Sequence, residues 1–365
     1  MYDVAARAGV SHQTVSRVLN GFDGIRPATR ERVEAAIAEL GYRRNLAART
    51  LVTRHTRAIG VLTPATADFG PVATLHAVER AIRAAGYQPL ITSTPVDPTS
   101  VGESLNFLLD QSIEALVVIA PYRIVLDRLA AMARGLPFVA LQTGVAADPV
   151  AIDQSAGARL AARHVIALGH RYVQQVTGPD DFIESGLRRD AAAAELAAAG
   201  AVPLPDLAGD WTADSGYAAA ARLDPRTTAV LCGNDQMALG LIHALADLGR
   251  PVPGAVSVVG FDDIPESAHS LPPLTTVHQD FEEVGRRAVA RLLAVLEGDA
   301  VDGFARTPRP AGGAPAIRAK SATDAMATAA AADAPDVAAR ADTEPVEPWL
   351  VVRRSTAEPV APGEL

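Results

Sequence analysis

A chain of 365 residues is long enough for two or three domains with cores of their own. Its formal net charge of -9 is unevenly placed. Residues 1–57 hold ten arginines against five acidic residues, a net +5, while the remainder carries 23 basic and 37 acidic side chains, a net -14. A basic head on an acidic body suits a head that meets a polyanion, and equally a solvated helical face. Cys232 is the one cysteine, which excludes a disulfide framework and a thiolate metal cluster. No charged-then-apolar leader opens the chain, and no apolar run approaches the roughly 20 residues that span a bilayer. The expectation is a cytoplasmic protein with no membrane partner.

Tyr2 to Ala8 reads as a short helix ending at Gly9, a residue suited to a left-handed turn. Val10 plugs the turn. Ser11 is placed to cap a second helix, from His12 to about Leu19, by accepting a bond from a free amide of its first turn. Val15, Val18 and Leu19 then face inward, while His12, Gln13, Ser16 and Arg17 share the outer face. Two short helices around a glycine-containing turn, the second with long polar side chains outside, fit a DNA major groove. Arg17 can donate two parallel hydrogen bonds to guanine, and Gln13 can pair with adenine. Ser11, Thr14 and Ser16 have the size for phosphate oxygens, which fix register.

A third helix is expected from Pro27, with Val33, Ala36, Ile37 and Leu40 as its inner stripe and Gly41 as its end. Residues 45–52 have helical potential but are too short to fold alone. From its residues this stretch reads as a plain linker, or as a segment whose apolar side chain, such as Leu51, wedges into the minor groove.

From Ala58 the texture changes to apolar strands alternating with Ala-rich helices. Strands are expected at 59–62, 89–92, 115–119, 138–141 and 150–153, with helices near 72–85, 101–111 and 124–134. A second set has strands near 172–176, 229–231 and 256–259 and helices near 185–199, 213–222 and 234–248. This is the spacing of two doubly wound parallel α/β lobes, with a ligand cleft where their strand ends meet. No G-x-G-x-x-G follows the first strand and no phosphate-binding loop is present, so no nucleotide cofactor is expected, and no metal or other cofactor.

Trp211, in the polar loop Gly209–Thr212, offers an aromatic face to the apolar side of a sugar ring. Arg188, Asn234, Asp262 and Gln279 could bond its hydroxyls. Each alone reads as an ordinary loop or ion-pair residue. Asp262 and Asp263 are adjacent carboxylates, but neighbours in a turn point apart, unlike the acid/base pair that flanks a glycosidic bond. With no G-x-S-x-G elbow and no His pair at metal spacing, catalysis is not expected. A sugar-transport receptor would need an export leader and no DNA head, the reverse of this chain.

Residues 303–345 are rich in Ala, Pro, Asp and Thr, a composition too poor in large apolar residues to offset its ordering entropy, so disorder is expected there. Pro348–Arg353 returns to strand texture, which makes the preceding stretch an insertion.

These motifs together resemble the lactose-repressor (LacI/GalR) family. In the head they are Tyr2-Asp3-Val4-Ala5, Gly9-Val10-Ser11-x-x-Thr14-Val15-Ser16-Arg17-Val18-Leu19-Asn20 and Thr29-Arg30-x-x-Val33. Gly41-Tyr42-x-x-Asn45, followed by Ala47 and Leu51, is similar to the family hinge. The resemblance implies an all-α helix-turn-helix head (1–44), a hinge (45–57), and a two-lobed periplasmic-binding-protein-like body (58–302 and 346–356). It implies DNA contacts from His12, Gln13, Arg17 and Asn20, and from Asn45, Ala48 and the intercalating Leu51 of the hinge.

In the body, Gly178-Pro179 through Arg188, Asn234-Asp235-x-Met237-Ala238-x-Gly240, Gly260-Phe261-Asp262-Asp263 and Pro272 through Phe281 are similar to the effector-binding segments of the family. Trp211 and Phe281 match the aromatic contacts of its founding member. The resemblance therefore implies a repressor of near-palindromic operator DNA, controlled by a sugar, with a galactoside-like effector as first expectation. No leucine heptads follow residue 353, so a homodimer is expected and not a tetramer. Three departures stand out. Met1 occupies the place of a helix cap and leaves open a start upstream. Arg26 replaces the usual cap of the third helix. Gln142 stands where the founding member has an aspartate that binds sugar hydroxyls.

Overall fold

The computed structural model describes residues 1–19, 21–42, 55–132, 135–144, 148–297 and 344–359. Asn20, Asn45, Ala48, Leu51 and the stretch 303–343 lie outside the described residues. The chain divides into two compact units, Met1–Thr56 and Arg57–Leu365.

The first unit holds three helices, α1 (Tyr2–Ala8), α2 (His12–Leu19) and α3 (Pro27–Glu39). Gly9 adopts φ 64° and its amide, with that of Val10, bonds back to Ala6 and Ala5, so the chain reverses in one tight turn. Val4, Ala5, Ala8, Val15, Val18, Val33 and Ala36 form a small core, against which Val10, Leu19, Ile37 and Tyr42 pack. Leu40, expected in the inner stripe, is instead 45% exposed. It follows the last turn of α3, and the Gly41 bend lets Tyr42 fold back, its amide bonded to the Ile37 carbonyl, and take the core position. Arg7 and Glu39 join α1 to the end of α3 at 2.6 Å, an exposed pair that contributes little.

In the second unit one lobe is built on β1 (Ala58–Pro64), β2 (Gln88–Thr94), β3 (Ala115–Ile119) and β4 (Phe138–Leu141), all parallel in the order β2-β1-β3-β4. Side chains alternate across this sheet. Ile59, Val61, Ala115 and Val117 face one way, onto Val78 and Ile82 of α4 (Phe69–Ala84) and onto Val284, Ala288, Val289 and Leu292 of α11 (Phe281–Glu297). Ala58, Leu62, Leu116 and Val118 face the other, onto α5 (Pro98–Asp110) and α6 (Arg123–Met132). Covered on both faces, β1 and β3 are buried at every position. Each large aliphatic side chain there contributes roughly 1.5–3 kcal/mol.

The other lobe has the order β10-β9-β8-β7-β5-β6, from β5 (Val173–Thr177), β6 (Leu207–Ala208), β7 (Ala229–Cys232), β8 (Ser257–Asp262), β9 (Thr275–His278) and β10 (Trp349–Val351). Only β10 is antiparallel. Helices α7 (Gln154–Ala167) and α8 (Ile183–Ala198) cover one face, and α9 (Ala213–Ala219) and α10 (Asp235–Asp247) pack together on the other. Cys232 lies buried in that second face.

Residues 150–153, expected as a strand, form none. The amides of Val150 and Ala151 bond to Asp148, making a turn, and Asp153 accepts from Ala156 to cap α7. Between turn and cap only Ile152 is left to bridge, to Val346. Helix α5 begins three residues earlier than expected, because Asp97 caps it and Pro98 opens its first turn.

Candidate functional site

In the head, the Ser11 hydroxyl accepts a bond from the Thr14 amide at 3.2 Å, so α2 starts at its cap. His12, Gln13 and Arg17 are exposed, and Thr14 and Ser16 are half-buried beneath them. Arg17 stands 5.5 Å from the Phe22 ring, and His12 lies 5.3 Å from the Tyr2 ring. These aromatic neighbours limit the rotamers of the two long side chains without using up their hydrogen bonds. Arg26 makes no side-chain cap on α3, and the helix starts at Pro27 without one.

In the body, strand C-termini from both sheets converge on a cleft of about 280 Å³. It is lined by Asp68, Phe69, Gly70 and Gln142 of one lobe and by Phe182, Glu184, Arg188, Trp211, Asn234 and Asp262 of the other. Five of the seven sequence-predicted cleft residues are thus brought together: Gln142, Arg188, Trp211, Asn234 and Asp262. Gln279 and Phe281 stand behind the wall. Gln279 bonds Asp262 at 2.6 Å and accepts from Gln154 at 2.8 Å, while Phe281 packs edge-on against Phe69 at 5.9 Å.

Arg188 is the centre of the wall. Its Nη1 donates to the Gly233 carbonyl at 2.5 Å and its Nε to Gln154 Oε1 at 2.9 Å. Asp262 lies 3.5 Å away and Glu184, one turn back on α8, 3.8 Å away. The Phe261 ring lies 4.0 Å from the guanidinium. Glu184 also accepts from Gln154 at 3.1 Å. Burial pushes Asp262 up to about 8 and raises Glu184 above the usual carboxylate range, with Arg188 opposing both shifts. One guanidinium therefore serves two buried carboxylates. Asp235 is a separate case: Ser267, Thr276 and the Ile264 amide bond it, and it pins the turn after β8.

Trp211 stands in the polar loop with its ring turned inward. It is 6% exposed, at φ 73°, with its ring edge-on to Phe182 at 5.1 Å. A Cβ on Gly178 would meet the indole at 2.1 Å, so glycine is required there. Asn234 caps α10 through Met237, and its amide donates to the Trp211 carbonyl, so both ends of its side chain hold the wall in place. Gln142 adopts φ 59° and Asp262 φ 113°, and with Trp211 they concentrate backbone strain at the cleft. Among the described residues three buried side-chain polar atoms lack a hydrogen-bond partner, and two of them belong to cleft-lining residues: Gln142 Oε1 and Trp211 Nε1. Beside Arg188 a second pocket is lined by Ala158, Ala161, Ala192 and Phe261, between α7, α8 and the sheet.

Sequence reasoning missed Asp68, Glu184 and Gln154. Glu184 carried a usable signal, since it sits four residues before Arg188 on one helix face.

A three-helix head with exposed readers and a body whose strand ends enclose a polar cleft define a DNA-binding regulator with a ligand-sensing body. Residues 1–45 match the bacterial regulatory proteins of the lacI family, and residues 162–312 match the periplasmic-binding-protein-like domain. The lactose operon repressor of Escherichia coli (strain K12) is 33% identical, over 83% of this chain and 86% of that protein. A crystal structure of the lac repressor dimer bound to operator and the anti-inducer ONPF superposes with a TM-score of 0.77 at 30% identity, covering 98% of both chains. A cellobiose complex of the transcriptional regulator CelR gives 0.64 at 28%, covering 97% of this chain and 98% of that one. The chain belongs to the lacI family of bacterial regulatory proteins. It is a DNA-binding transcriptional repressor with a sugar or other small-molecule effector, not an enzyme. No helix among the described residues is long and apolar enough to cross a membrane.

Proposed function

We propose that this repressor acts in the cytoplasm as a homodimer that places two α2 helices in successive major grooves of a near-palindromic operator. His12, Gln13 and Arg17 read bases, and Ser11, Thr14 and Ser16 hold phosphates. Asn20 and the hinge residues Asn45, Ala48 and Leu51 complete the interface, with Leu51 in the minor groove. The known dimer-operator complex of the lac repressor supports this arrangement.

A sugar bound in the cleft between the lobes, galactoside-like as first choice, shifts the balance between two lobe arrangements. It does so only through its differential affinity for them. The observation that carries the reading is the pair of orphaned buried atoms, Gln142 Oε1 and Trp211 Nε1, beside the Arg188–Asp262 pair. An acceptor, a donor and a charged pair in one cleft match the hydroxyls of a sugar ring. Gln279 and Phe281 support the wall from behind.

The test is selection of bound sequences from random duplex DNA, followed by challenge of the complex with a sugar panel in an anisotropy assay. A two-fold symmetric selected site whose occupancy changes with one sugar is the expected result. A non-palindromic site, or indifference to every sugar, removes the corresponding half of the proposal.

A further inference from the structure

Charge is unbalanced along the cleft. Three carboxylates line it, those of Asp68, Glu184 and Asp262, and Arg188 is the one basic side chain among the lining residues. Asp68 precedes α4 but makes no side-chain cap. Glu184 and Asp262 are each 5% exposed, and the guanidinium reaches them only at 3.8 and 3.5 Å while its shorter bonds go to Gly233 and Gln154. From the opposite lobe comes Gln142, 8% exposed, whose Oε1 accepts from nothing. With a neutral amide at 142 and three carboxylates against one guanidinium, the wall is dominated by acceptors and short of positive charge.

From this geometry we infer that the effector carries a protonated amine, as an amino sugar does, and that Glu184 is its counter-charge. The inference rests on the sugar reading above and narrows it. An ammonium has three donors and no acceptor. Glu184 and the unpartnered Gln142 Oε1 line the same cleft from opposite lobes, and the inference assigns the ammonium to both. The buried carboxylates gain the cation that Arg188 alone does not supply, and charged hydrogen bonds in such a site are about twice as strong as neutral ones. A neutral hexose would leave the second carboxylate to be neutralised by a proton, consistent with the upward shifts of Glu184 and Asp262 when no ligand is bound.

Three ligand series of matched shape test this on the full-length protein near pH 6. The amino sugars are galactosamine and glucosamine. The parents are galactose and glucose, and the N-acetyl forms restore bulk at the nitrogen without charge. Titration calorimetry gives the affinity, and operator anisotropy the response. An amine preferred by about tenfold or more over both its parent and its N-acetyl form is expected. In Glu184→Gln, which keeps an acceptor for Gln154, that preference should shrink to about twofold or less. Equal binding of amine and parent by the wild-type protein overturns the inference and leaves the sugar reading standing. A preference that persists undiminished in Glu184→Gln overturns the assignment to Glu184. If none of the six compounds binds or changes operator occupancy, the amine inference falls, and the sugar reading falls with it only when the full sugar panel is also without effect. The wild-type comparison decides the ligand class even if the variant does not fold.

Discussion

His12, Gln13 and Arg17 of the head stand in solvent on one short helix, whereas Arg188, Glu184 and Asp262 of the cleft are each more than nine-tenths buried. The head holds its functional groups apart from the core, which rests on small residues behind them. The cleft merges the two roles: the groups that face a ligand also neutralise one another and hold neighbouring strand ends. Substitutions in the head should therefore change recognition with little effect on folding, and substitutions in the cleft should change both.

The sharpest way to break this contrast is Arg188→Ala. Removing the guanidinium strands two carboxylates in the interior, and we expect about 3–5 kcal/mol of lost stability by urea unfolding together with loss of the effector response. A variant as stable as the wild type would mean that the cleft charges are not interdependent.

Asp262→Asn comes next and is read through pH. Because its pKa is raised in the fold, Asp262 favours the folded state most at low pH, below its unfolded value of 3.8. That contribution is lost as pH climbs through about 8. Arg188 opposes the shift and Asp235 and Glu184 reinforce it. The fall in melting temperature between pH 5 and 8 should be smaller in the variant, and an identical profile would exclude Asp262 as its source.

For the head, Arg17→Ala should cost ~1–3 kcal/mol of operator affinity and relax one base position. Its melting temperature should barely move, since exposed sites usually fall within about 0.5 kcal/mol. An unchanged base preference would remove Arg17 from the reading set. Smallest is Ser11→Ala, which deletes the α2 cap at a cost of about 1 kcal/mol in stability. A larger loss of operator affinity than of stability would show that the hydroxyl also touches DNA.

The same contrast explains what could be read from the sequence. Helix α2 was legible because cap, turn glycine and 3.6-residue periodicity fall within a dozen residues. The strands were legible as apolar runs, apart from 150–153, where a turn and a helix cap outweigh the β-branched residues. The cleft draws on chain separated by more than a hundred residues, and no local pattern says which side chain fronts the ligand and which stands behind. Gln279 and Phe281 touch the lining residues Asp262 and Phe69 and are not themselves among the lining. The burial of Trp211 could not be read from its polar neighbours, because Gly178 and Gly233, distant in sequence, leave the space that admits its indole. Leu40 failed for a geometric reason, since the helix ends before its side chain can reach the core.

The placement of α11 has a consequence for synthesis on the ribosome. The four strands of the first lobe are complete once Leu141 has emerged, but Val284, Ala288, Val289 and Leu292, which cover one face of that sheet, are made only after the strands of the other lobe up to β9. The apolar face of Ile59, Val61 and Val117, by then covered only in part by Val78 and Ile82 of α4, must therefore wait for the rest of its cover through about 140 further residues of translation, the span from β4 to α11. A product truncated before Phe281 would lack this cover and would not contain a complete first lobe, however well its DNA-reading head had folded.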